Sequence, residues 1–128
     1  MANFRVERIL VTLDESIPDF NHLEAVDAEE LAWLNLDSEA ESRGLTPLNE
    51  FAVAPFQRPQ WHSPSDGLET VRGLAQLCER WLGRATNPYG YTAEIVQKKL
   101  LTLRQLEEVL VRADECDRSF HLALRDLE

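Results

Sequence analysis

The sequence predicts an α+β fold: strands from the two ends of the chain pair in a small sheet, which packs against three main helices and one short helix. Three observations carry this. From Phe4 to Leu13 the apolar residues alternate, with Ile9, Val11 and Leu13 on one side and Phe4, Val6 and Leu10 on the other. From Ser119 to Arg125 the alternation is cleaner, Phe120, Leu122 and Leu124 against His121, Ala123 and Arg125. Between the ends, apolar residues step by three and four through three long segments. A short strand left alone exposes costly backbone donors and acceptors, so the two ends are expected to pair. A third strand is expected near Phe51 to Phe56. The 128 residues suit one compact domain, 1–128, with a core that needs no disulfide or metal.

Each helix has its punctuation. Asp27 with Glu30 three residues on reads as an N-cap, and Gly44 as a stop, giving a helix from about Ala28 to Arg43. Its apolar positions are Leu31, Trp33, Leu34, Leu36 and Ala40. Thr46-Pro47 restarts the chain into a short helical turn ending near Phe51. Residues 54–64 read as a loop, because Pro55, Pro59 and Pro64 interrupt any ladder. Phe56 and Trp61 are expected to pin that loop to the body. Ser63-Pro64 opens the next helix, which Gly83 closes, with Leu68, Val71, Ala75, Cys78 and Leu82 along a stripe that Leu74, Leu77 and Trp81 widen. Asn87-Pro88-Tyr89-Gly90 is a turn, and Thr92 caps a last helix reaching about Cys116. The last helix buries Ile95, Val96, Leu103, Leu106, Val109, Leu110 and Ala113. Glu94–Lys98, Glu108–Arg112 and Asp114–Arg118 are spaced to pair along its solvated side.

Charge narrows the function classes. The chain carries a net −10, and residues 1–44, with eleven acids and three arginines, hold −8 of it. Phosphate backbones repel such a surface, so nucleic acid is not an expected partner. Arg5, Glu7 and Arg8 interrupt the apolar run that a signal peptide needs, and no stretch is long enough to span a bilayer. No membrane association and a cytoplasmic location are the expectation. Cys78 and Cys116 are isolated, with no CxxC pair to hold zinc, and read as unreactive free thiols.

Several short stretches form a pattern together. They are Leu13-Asp14-Glu15-Ser16 with Pro18-Asp19-Phe20, Leu45-Thr46-Pro47-Leu48-Asn49-Glu50-Phe51, Gly67-Leu68-Glu69-Thr70-Val71-Arg72-Gly73-Leu74, and the closing Phe120-His121-Leu122-Ala123-Leu124. Together they resemble a family of small, acidic bacterial proteins with no established activity. The resemblance implies a compact cytosolic domain and assigns a role to no residue.

Candidate sites were weighed against plainer explanations. Asp14, Glu15, Asp19, His22 and Glu24 follow the first strand, but no glycine bends them into a cation loop, so no metal and no cofactor is expected. His62, in Gln60-Trp61-His62-Ser63, has no nucleophile assigned to it, and no serine sits in a strand–turn–helix elbow. Trp61, on the proline-rich loop, is an interface anchor, a lid over a cleft or, most plainly, a plug for the core. Leu101 falls on the far side of its helix, where it is either a solitary exposed leucine or part of a self-dimer or partner contact. Two functions of different class follow. The first is a non-enzymatic protein-interaction domain (adaptor, inhibitor or immunity-like protein) contacting a protein partner or a second copy through Glu29, Glu30, Glu39, Glu41, Trp61 and Leu101. The second is a small-molecule binder or enzyme with its cleft near loop 54–64 and Trp61 and His62 at the mouth. A deep polar-lined cleft beside Trp61 favours the second, a flat acidic face the first.

Overall fold

The computed structural model describes residues 8–14, 25–27, 33–53, 57–84 and 86–125. In chain order they form β1 (Arg8–Leu13), β2 (Ala25–Asp27), α1 (Trp33–Ser42), a 3-10 turn (Leu48–Phe51), β3 (Ala52–Val53), α2 (Pro64–Leu82), α3 (Ala93–Glu115) and β4 (Phe120–Arg125). The sheet has the order β2-β1-β4-β3. β1 and β4 pair antiparallel from Arg8↔Arg125 to Leu13↔Phe120, so strands from the two ends of the chain meet as their alternation predicts. Asp14 closes that pairing, its N–H donating to the Ser119 carbonyl and its carboxylate accepting the Ser119 N–H, both at 3.0 Å. The register places Val11, Leu13, Phe120 and Leu122 on one face, all buried in the core shared with α2 and α3.

β3 supplies the expected third strand near Phe51, but only Ala52 and Val53 pair, parallel to Leu122 and Ala123 of β4. β2 is a strand that the sequence did not announce; at three residues it is too short for alternation to distinguish it from a connection. The expected strand start at Phe4, the helix start at Ala28 and the ring of Phe56 lie outside the described residues.

α1 buries Leu36 and Ala40 and stops where expected, with Gly44 at φ 73° in the left-handed region that suits glycine. The Ser63 hydroxyl caps α2 by accepting the Ser65 N–H at 3.3 Å, with Pro64 in the first helical position. Gly83 ends α2 without needing glycine's freedom, since its φ is −81°. The Thr92 side chain caps α3, accepting the Ile95 N–H at 3.2 Å. The α3 stripe is as expected at Val96, Leu103, Leu106, Leu110 and Ala113, all buried. It is corrected at Ile95, which is 39% exposed at the edge of the stripe while Val96 beside it in the same turn is buried. Glu94 and Lys98 do pair, at 3.9 Å, whereas Arg112 reaches Glu115 at 3.5 Å rather than Glu108.

The short turn shows a device that composition could not reveal. Pro47 stands at its cap position rather than one residue inside, and has no side chain to offer. The carboxylate of Asp37, from α1, takes over: Leu48 N–H donates to its Oδ1 at 2.7 Å and Asn49 N–H to its Oδ2 at 3.2 Å. The Thr70 hydroxyl of α2 donates to the Thr46 carbonyl at 2.7 Å, fixing the same segment from below. Burial outweighs the two hydrogen bonds and raises the Asp37 pKa above the ordinary carboxylate value.

Candidate functional site

β4 presents one edge to two separate segments. β3 occupies Leu122 and Ala123, and the returning chain makes a single antiparallel bridge from His62 to Phe120. The bridge is closed by two backbone hydrogen bonds, His62 N–H to Phe120 O and Phe120 N–H to His62 O, each 2.9 Å. Prolines before and after it keep the bridge from growing into a strand. The chain therefore leaves the sheet after Val53 and returns at His62, and Gln57, Arg58, Pro59, Gln60 and Trp61 of the excursion are all exposed.

The bridge also separates its two aromatic neighbours. Side chains alternate along an extended segment, so Trp61 and His62 face opposite ways. His62 turns inward, its ring edge-on to Phe51 with centroids 5.1 Å apart and 6.2 Å from Phe120. Its Nε2 is buried and has no hydrogen-bond partner, and no nucleophile shares it. His62 is therefore packing for the sheet edge, which corrects its expected place at the mouth of a cleft. Trp61 turns the other way and lies against buried His121, centroids 4.6 Å apart. It remains 45% exposed, so it pins the loop as expected without plugging the core.

Beside this loop lies a cavity of about 410 Å³ lined by Asn49 and Glu50 of the 3-10 turn, Ala52 and Val53 of β3, and Gln57, Arg58 and Gln60 of the loop. Its lining is polar. Among the described residues Glu50 and Arg58 are its two charges, and neither enters an ion pair. Sequence reading placed a cleft at this loop but named Trp61 and His62 for it. The cavity instead uses polar residues between the prolines, whose only signal was two amides and an arginine in a segment with no reason to be buried.

The other sequence-predicted residues are scattered. Glu29 and Glu30 lie outside the described residues, as do Glu15, Asp19, His22 and Glu24 of the acidic connection. Glu41 is exposed on α1. Glu39 serves the fold: it pairs with Arg43 and accepts the Tyr89 hydroxyl at 2.9 Å. Desolvation, then that hydrogen bond, raise the Tyr89 hydroxyl above its ordinary value. Leu101 is 61% exposed as its helical angle required, and its neighbours Gln97, Lys98 and Gln105 are exposed and polar. Ile95 sits about 9 Å along the helix and about 120° around it from Leu101, so the two do not form one apolar patch.

Two buried groups complete the search for chemistry. Cys78 is fully buried, and desolvation pushes its thiol up to about 11, which leaves it protonated and inert. Lys99 was missed; it is 3% exposed, with its ammonium 4.9 Å from the centre of the Tyr91 ring. The signal was present, since position 99 lies three after Val96 and four before Leu103, on the buried stripe. Trp81, Tyr89 and Tyr91 form an aromatic group there, which the molecule's own cation already occupies. Among the described residues no three of His, Cys, Asp and Glu converge as a metal site, and no helix is long and apolar enough to cross a membrane.

Comparison with known proteins adds no assignment: no protein-family model, no curated protein and no solved structure matches the chain.

Proposed function

We propose that the chain is a non-enzymatic, cytoplasmic protein-interaction domain, of adaptor, inhibitor or immunity type, that docks on its partner through loop 54–61, with its own acidic surface assisting. The observation that supports this reading is Trp61. It is large, half in solvent, and braced on buried His121 rather than free to collapse. Tryptophan and arginine are the side chains most often found at the energetic centre of protein interfaces, and Arg58 sits three residues away. A surface with net charge −10 adds attraction for a cationic partner and speeds encounter. The test is capture of a partner by the tagged chain, beside Trp61→Ala and a Glu29→Gln, Glu30→Gln, Glu41→Gln variant. Glu39 is left intact because it holds Arg43 and Tyr89. Expected is one partner bound by the parent and lost by Trp61→Ala, with thermal unfolding of that variant close to parental. A partner retained by Trp61→Ala overturns docking through the loop, and one insensitive to the glutamine changes and to salt removes the acidic contribution.

A second reading has its own support, the polar cavity beside the same loop. Its size falls in the range of small-molecule sites, though it opens broadly to solvent. Its lining supplies hydrogen bonds and two opposite charges, but no nucleophile with a base and no pair of acids. The reading is thus binding without catalysis.

A further inference from the structure

We propose that the cavity beside β3 takes a small zwitterion of the free α-amino acid class, an inference that rests on the second reading above. Among the described residues its lining carries one carboxylate, Glu50 of the 3-10 turn, and one guanidinium, Arg58 of the loop. Arg43 is engaged by Glu39, Arg72 and Arg104 by Glu107, and Arg112 by Glu115. Arg80 and Arg84, on the exposed side of α2 and just after it, are like Arg58 in no ion pair among the described residues. What sets Arg58 apart is that it shares a cavity with a carboxylate. Arg58 and Glu50 share a cavity without joining an ion pair, so both remain available.

Ligand classes separate by charge. A simple anion meets Glu50 and the field of a −10 chain; a simple cation meets Arg58. A molecule carrying a carboxylate and an ammonium meets both with the favourable sign. Guanidinium geometry suits a carboxylate, donating two parallel N–H bonds to its oxygens, and a carboxylate accepts from an ammonium. Gln60 adds a side-chain amide, both donor and acceptor, able to serve either end, and the Asn49 and Gln57 amides line the same space. Ala52 and Val53 give the cavity a small apolar wall, and the volume of about 410 Å³ suits a compact ligand.

The experiment follows the side-chain amide signals of Asn49, Gln57 and Gln60 by NMR in the full chain. Each standard free amino acid is titrated, then its N-acetyl amide, which keeps the side chain and loses both backbone charges. Expected is saturable movement of these signals with at least one free amino acid, weakened at least tenfold by blocking its ends. Arg58→Gln and Glu50→Gln should each weaken it by a similar factor while the remaining amide spectrum stays parental. If the blocked forms bind as well as the free ones, the zwitterion inference is overturned and the cavity still binds small molecules. If neither set moves these signals, both the inference and the second reading fall.

Discussion

The groove beside α2 and the cavity beside β3 have nearly the same volume, about 430 and 410 Å³, and differ in whether their arginine is engaged. The first is lined by Ser65, Leu68, Glu69, Arg72, Gly73, Gln76 and Asp114. Its arginine belongs to a network across the helix pair: Arg72 Nε donates to Glu107 at 2.9 Å, Arg104 donates to the other Glu107 oxygen at 2.9 Å, and Arg104 also pairs with Glu79. The hydrogen bond from Arg72, aided by Arg104, holds the Glu107 carboxyl below its ordinary range against the opposing effect of burial. In the second, Glu50 and Arg58 line the space without any such pairing. The lesson is that volume does not separate the two, whereas the engagement of the arginine does.

If that contrast holds, changes to the scaffold should cost stability and changes to the loop should cost only binding. The largest effect is expected at Gly67. A Cβ there would lie 2.6 Å from Phe120 Cζ and 3.1 Å from Leu110 Cδ1, inside the seam between α2, α3 and β4. Gly67→Ala should lose about 1–3 kcal/mol to overpacking, more than the ~1 kcal/mol of helix propensity it gains. Gly73→Ala is the control: its Cβ would lie 2.5 Å from Cδ1 of Leu45, but that atom is the far end of a flexible, half-buried side chain rather than a ring wedged in the seam. Its stability in chemical denaturation should stay within about 1 kcal/mol of the parent. Equal losses at the two glycines would refute the seam as the rigid part.

Asp37→Asn should come next. Asparagine keeps one acceptor oxygen for two N–H groups, so about 0.5–1.5 kcal/mol should be lost at neutral pH. The pH dependence has a definite sign. Because the folded pKa is raised above 3.8, the folded state binds the proton more readily, and stability from this group rises as pH falls through that window. The parent should gain on the variant as pH is lowered toward 3.8, measured by urea unfolding at each pH. A difference independent of pH would remove Asp37 as the group responsible.

The smallest effects separate the two cavities most sharply. Arg72→Gln should cost about 0–1 kcal/mol, as a mostly exposed pair does. It should also blunt an acid sensitivity: the stabilisation from Glu107 is present above its ordinary 4.5 and lost as pH falls through its lowered folded value. Arg58→Gln should change stability by less than about 0.5 kcal/mol at any pH. If Arg58→Gln proves as costly as Arg72→Gln, Arg58 serves the fold and the contrast between the cavities disappears.

How much of this was legible depended on how far apart the cooperating residues lie. The paired terminal strands, the Ser63 and Thr92 caps and the α2 stripe were all readable, because each is set by residues within a few positions of one another or by strong alternation. Asp37 capping Leu48 was not, since nothing local marks a carboxylate that serves a turn eleven residues on. Likewise Trp61 and His62 are adjacent in sequence and assigned together, yet one bridge to Phe120 sends them to opposite sides. Glu39 looked like one acid among many until Tyr89, fifty residues away, was found bonded to it. The cavity residues carried the weakest signal of all: polar side chains in a loop are what any solvated loop contains.

The pinning of the loop at Val53 and His62 has a consequence for how such a molecule can change. Their partners on β4, Ala123 and Phe120, are three positions apart, so the ends of the eight-residue excursion 54–61 are fixed whatever it contains. Lengthening a loop between fixed ends is thermodynamically mild, about 0.6 kcal/mol for a doubling. The sheet edge is then a socket, and the segment between its two pins a cassette. New recognition sequences can be written there while the hydrophobic interior beneath keeps its arrangement.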